Sequence, residues 1–97
     1  VNYTRRAERQ IDKLTERYEE QGRDAALVNL RRAIREAESR IEKAPDDGAS
    51  APRPYPELAQ PGMAWIKAGR YWFRYTITQP LTITAIVFDT SDIVAHI

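Results

Sequence analysis

Five of the six prolines in this chain fall between Pro45 and Pro61, in the stretch PDDGASAPRPYPELAQP. Proline fixes φ and lacks an N–H, so neither a continuous helix nor a central strand can run through so many of them. The stretch is too short to link two domains. It reads as a loop with extended, polyproline-like pieces, carrying the chain from one kind of structure to another. Tyr55 and Leu58 are the residues expected to tack it down.

Before the prolines the sequence has a helical period. In TRRAERQIDKLTERYEEQG, Ala7, Ile11, Leu14 and Tyr18 recur at spacings of four, three and four, one apolar stripe of an amphipathic helix. Thr4 is a credible N-cap, with the capping-box glutamate one residue late at Glu8, and Gly22 is the stop signal. A second run, from about Asp24 to Ala44, carries Leu27, Leu30, Ile34, Ala37 and Ile41 on one face and ends at Pro45. The connection between the two is short, so an antiparallel hairpin is predicted. Charges on the outer faces nearly balance: Glu8, Asp12, Glu16, Glu38 and Glu42 against Arg9, Lys13, Arg31, Arg35 and Arg40. They read as solvated faces first and a docking surface second.

Beyond the prolines the period changes to two. MAWIKA, RYWFRYTI and TITAIVF read as three strands, joined tightly at Ala68–Gly69 and at Thr78–Gln79–Pro80, which favours antiparallel pairing. The opening VNYT is brief and β-prone. The expected order is β-α-α-β-β-β: an α+β fold of two layers, with an antiparallel helical hairpin on one face of a small, mainly antiparallel sheet and the other face open.

Composition narrows the function. With 97 residues, 42% hydrophobic and 30% charged, the chain is one globular domain. It has no cysteine, which excludes disulfides and thiolate metal sites, and its one histidine, His96, sits beside the chain end and cannot anchor a zinc site. The net charge of +1 gives no global footprint for nucleic acid. No apolar run approaches the roughly 20 residues that span a bilayer, and no signal-peptide pattern opens the chain. A cytoplasmic protein without cofactor or metal is expected.

One stretch resists a purely structural reading. In KAGRYWFRYTI, Lys67 to Ile77, alternation puts Tyr71, Phe73, Tyr75 and Ile77 toward the helices and Arg70, Trp72 and Arg74 on the open face, with Lys67 able to join them. Guanidiniums beside an indole can hold an anionic ligand. Equally, the tryptophan can simply cover the sheet while the arginines pack on it.

The opening YTRRAERQIDKL and the late GRYWFRYTI…LTITAIVFDTSDI resemble toxins of the RelE/ParE superfamily. In that family a short strand ends in an aromatic-x-x-x-Ala pattern before helix one, and a glycine-aromatic strand precedes a hydrophobic strand and a short polar tail. The likeness spans nearly the whole chain, residues 1–97 as one toxin domain. It implies the toxic half of a bacterial toxin–antitoxin pair, held in a hetero-oligomer by a cognate antitoxin that wraps its helices and sheet. RelE-like members cut mRNA on the ribosome with lysine, arginine, histidine or tyrosine side chains. ParE-like members bind DNA gyrase and trap its cleaved complex, with no chemistry of their own.

The nuclease pattern carries over poorly. Lys67 matches a family lysine on the first meander strand. Trp72 stands where an arginine is usual after the strand's tyrosine. Asp89 stands where histidine or a basic segment often comes after the last strand, and the tail TSDIVAHI holds no arginine or tyrosine. A carboxylate there opposes cleavage of a polyanion. Asp89 could act as a general base, but no acid partner is apparent. Lys67, Arg74 and Asp89 are thus weak catalytic candidates. The expectation is a ParE-like gyrase-binding toxin, with Lys67, Arg70, Trp72 and Arg74 as contacts to target or antitoxin. A RelE-like nuclease and a non-toxic complex-forming member are the alternatives.

Overall fold

Thr4 opens the first helix as expected: its hydroxyl oxygen accepts the Ala7 N–H at 3.2 Å. The computed structural model describes residues 1–52 and 55–88. Helix α1 spans Arg5–Glu20 and Gly22, at φ 65°, turns the chain into α2, Asp24–Lys43. A left-handed residue costs glycine nothing, and it lets two helices meet with three residues between them. Ala7 and Tyr18 of α1 and Leu30, Ala33, Ala37 and Ile41 of α2 are buried, with Ile11, Leu14, Leu27 and Ile34 packed against them. Both predicted stripes are therefore the core-facing stripes.

The strands are β1 (Asn2–Tyr3), β2 (Met63–Ala68), β3 (Tyr71–Thr76) and β4 (Thr82–Phe88), in the sheet order β1-β4-β3-β2. The α+β class and the chain order stand as read. The sheet is mixed, however: β2–β3 and β3–β4 are antiparallel, while β1 lies parallel to β4 through Asn2–Thr82 and Tyr3–Ile83. A two-residue strand carries no alternation from which a pairing direction could be read. Helix α1 packs on β4, and α2 on β2 and β3.

One irregularity matters for the site. Arg74 pairs with Ala85 but Tyr75 pairs with Ile83, so Thr84 is an extra residue, a β-bulge on β4. A bulge locally re-aims side chains and backbone. Here the Thr84 carbonyl accepts the Thr4 hydroxyl at 3.2 Å, and the Thr84 hydroxyl accepts the Arg74 Nε–H at 2.8 Å.

The second sheet face is not open. The proline-rich segment, which has short 3-10 turns at Pro45–Asp47 and Pro56–Leu58, pairs with the β2 edge at Ala49 and packs on this face through Tyr55 and Leu58. Ala49 exchanges both backbone hydrogen bonds with Trp65, at 2.7 and 2.8 Å. Pro52 is fully buried, and Tyr55 and Leu58 pack on the cluster of Trp65, Val87 and Trp72. On the helix side of the β2 edge, the same segment comes so close at Gly48 that a Cβ there would collide with the Tyr75 hydroxyl. Tyr55 and Leu58 do hold the segment down, and what they hold it down on is the face expected to meet water.

Candidate functional site

The register fixes which of the predicted site residues meet. Across β2 and β3, Trp65 faces Arg74 and Lys67 faces Trp72. These four share one side of the sheet, because residues two apart on a strand point the same way. The exposed Lys67 ammonium lies 6.0 Å from the centre of the half-buried Trp72 ring, within cation–π range. Its backbone carbonyl accepts the Arg40 guanidinium at 2.8 Å, tying α2 to the sheet edge.

Arg74 has a different environment. It is only 9% exposed, with its guanidinium carbon 5.9 Å from the Trp65 ring centre and Nε on Thr84. Burial, and then the like charge of Arg6, pulls its pKa below the ordinary arginine value. Arginine stays charged at neutral pH even so. Among the described residues neither the Trp65 nor the Trp72 indole N–H has a hydrogen-bond partner, and both N–H groups are out of contact with solvent. The centre of this face is thus a covered aromatic–guanidinium cluster. Among the described residues its rim, the exposed Lys67 with the half-buried Trp72, Tyr55 and Leu58, reaches the surface.

Arg70 leaves the stripe altogether. Gly69, at φ 59°, makes the β2–β3 turn, and β3 begins at Tyr71, so Arg70 does not follow the pleat. Its guanidinium stacks 5.0 Å from the ring centre of Phe88, a residue packed with the helix-side core. The expected Arg70–Trp72–Arg74 row on an open face is therefore corrected: Arg70 crosses to the helix side, Arg74 is enclosed, and Trp72 alone of the three stays beside Lys67. Asp89, the third catalytic candidate, lies outside the described residues, as does His96.

The helix side holds two grooves. One, of about 830 Å³, lies between the start of α2 and the β2–β3 turn, with Arg23, Arg32 and Arg70 around a hydrogen-bonded pair of tyrosines, Tyr18 and Tyr71, 2.8 Å apart. Burial and that hydrogen bond raise the pKa of Tyr71 well above the usual phenol range. The other, of about 600 Å³, lies between α1 and β4, with Arg6, Arg9, Lys13, Arg17 and Arg23 on its walls and, among the described residues, no carboxylate in its lining. Balanced charge along α1 hides this second groove from a count of acids and bases. The period reveals it: Arg6, Arg9, Lys13 and Arg17 recur at three, four and four, beside the apolar stripe.

Among the described residues, no cluster of three histidine, cysteine or carboxylate side chains could hold a metal ion, and no helix is long and apolar enough to cross a membrane. No family model matches the chain, and no curated protein matches it.

Proposed function

We propose that this protein is the toxin of a bacterial toxin–antitoxin pair, of the ParE type, which halts growth by binding DNA gyrase rather than by cutting RNA. It works in the cytoplasm, without a cofactor, and is held inactive in a complex with its antitoxin. The reading of the family rests on the resemblance in YTRRAERQIDKL and GRYWFRYTI, together with an α+β chain order that agrees with it.

Binding is favoured over cleavage by one observation, the enclosure of Arg74. A cation that stabilises a transferring phosphate must reach the phosphate. Arg74 instead spends its Nε on Thr84 and its face on Trp65, and is only 9% exposed. Lys67 and Trp72 are left as the accessible pair, and tryptophan beside a cation is what interface hot spots favour.

The test is a supercoiling assay with purified gyrase, run beside cleavage of mRNA on ribosomes. The reading expects inhibited supercoiling with cleaved DNA retained on gyrase, and intact mRNA. Lys67→Ala/Trp72→Ala, checked for fold by its melting curve, should lose the inhibition. Ribosome-dependent cleavage that disappears in Arg74→Met would replace this reading with the nuclease one.

A further inference from the structure

The larger groove on the helix side gathers three arginines from separate parts of the chain: Arg23 from the α1–α2 connection, Arg32 from α2 and Arg70 from the β2–β3 turn. Gly69 delivers the last of them. Its left-handed φ takes the chain out of the pleat, and the turn sits so close on α2 that a Cβ there would lie 3.3 Å from the Ala33 side chain. Arg23 lies over the Tyr18 ring at 5.1 Å and Arg70 over the Phe88 ring at 5.0 Å. Stacking of this kind holds a guanidinium by its face and leaves its N–H edge for another partner. Among the described residues, none of the three guanidiniums makes a hydrogen bond or lies within ion-pair distance of a carboxylate.

An exposed arginine without a partner is ordinary; a buried hydroxyl without one is not. Tyr18 and Tyr71, 5% and 3% exposed, line this groove and share one hydrogen bond of 2.8 Å. That bond uses the proton of one hydroxyl only. The second hydroxyl keeps a donor for which the described residues supply no acceptor. Against burial and Tyr18, which raise the Tyr71 pKa, the charges of Arg23 and Arg70 pull it down, so both guanidiniums act at the hydroxyl pair. Helix α2 also begins without a side-chain cap, and its first residues line the groove, where the N–H groups of a first turn favour an anion.

We propose that this groove binds a small phosphate monoester, its phosphate on Arg23, Arg70 and the spare tyrosine O–H and its organic body against Ala33 and Phe88. A monoester near neutral pH carries about two charges and three acceptor oxygens, enough for two guanidiniums and a hydroxyl together. A carboxylate is filled by one guanidinium fork. Asp24 and Glu36 line the same groove, so three arginines stand against two carboxylates. That margin suits one compact dianion and opposes a nucleic-acid strand, whose charges would run on past both acids. The volume of about 830 Å³ is that of a small-molecule site. The assignment is independent of the gyrase reading, which rests on Lys67 and Trp72 across the sheet.

The test is calorimetry on the full chain with phenyl phosphate as the probe, beside inorganic phosphate, benzoate and a single-stranded oligonucleotide without a terminal phosphate. Phenyl phosphate should bind tightest. Arg23→Gln and Arg70→Gln should each weaken it about tenfold or more, the range of a hydrogen bond to a charged group. Arg70→Lys, which keeps the charge and loses the fork, should cost less than Arg70→Gln. Tyr18→Phe/Tyr71→Phe should weaken binding more than either single substitution, because one remaining hydroxyl, freed of its partner, still donates. Lys13→Gln/Arg17→Gln, in the neighbouring groove, should change nothing; melting curves check that each variant folds. The proposal is overturned if phenyl phosphate fails to bind at millimolar concentration, if Arg23→Gln/Arg70→Gln binds it as well as the parent, or if Lys13→Gln/Arg17→Gln abolishes binding. Benzoate or inorganic phosphate binding as tightly, or the oligonucleotide displacing the probe, would overturn it equally.

Discussion

At Arg74, burial and charge pull in opposite directions. A guanidinium enclosed beside Trp65, with one hydroxyl as its hydrogen-bond partner and Arg6 adding like charge, costs folding energy to desolvate. Two substitutions separate its contributions. Thr84→Val keeps the shape but strips the Nε–H of its acceptor, and should cost about 1–3 kcal/mol by urea unfolding. Arg74→Met removes the charge and fills similar space, and should be neutral or stabilising by up to about 1–4 kcal/mol. A large loss of stability in Arg74→Met would show that the guanidinium holds the fold through contacts beyond Thr84. The sequence shows that Arg74 and Trp72 share a face. It does not show the cover, although Trp65, two residues before Lys67, puts a second indole on that face, too much apolar surface to leave in water. Arg70 departs from its expected place for a different reason: alternation holds only inside a strand, and Arg70 lies between the left-handed Gly69 and the start of β3 at Tyr71.

Between elements, four tyrosines act as ties, Tyr3 half-buried and Tyr18, Tyr71 and Tyr75 buried. Tyr3 donates to Glu38, joining β1 to α2; Tyr71 and Tyr18 join β3 to α1; and Tyr75 donates to the Pro45 carbonyl at 2.7 Å, anchoring the proline-rich segment. Burial is the leading cause that raises the pKa of Tyr3, Tyr71 and Tyr75 above the ordinary value. An unfolded tyrosine ionises near pH 10. Above that pH the unfolded chain has released protons that the folded chain keeps, so stability falls as pH rises; below it the full contribution is present. The urea midpoint should hold steady up to about pH 9 and decline through pH 10 and above, with a shallower decline in Tyr71→Phe. A midpoint that is flat across that window would mean these phenols are not protected by the fold. The elements themselves are the most legible part of the sequence. The α1 and α2 stripes, Gly22, and the bounds of β2 and β4 come from period and punctuation alone. The acids Glu38 and Glu42 read as solvated, but Glu38 is taken up by Tyr3, a contact 35 residues away in the chain. The basic stripe of α1 is legible too, but only by angular position around the helix; net charge conceals it.

At the scale of the molecule, local signals give class and chain order, and tertiary pairing gives the rest. Nothing in Asn2–Tyr3 says that it lies parallel to Thr82–Ile83, and nothing in Ala49 says that it pairs with Trp65. Those pairings give the two sheet faces their different fates. The helix side carries basic grooves, and the other side is sealed over Arg74 with Lys67 and Trp72 at its rim. On the proposed reading such a molecule acts by binding, because the cation that cleavage would need in the open is enclosed. That claim is tested most directly by pulse labelling after the protein is induced alone in a bacterial host, following thymidine and methionine incorporation separately. The account predicts that thymidine incorporation falls first. Methionine incorporation falling first would contradict it, and would mean that the Arg74 face opens to RNA.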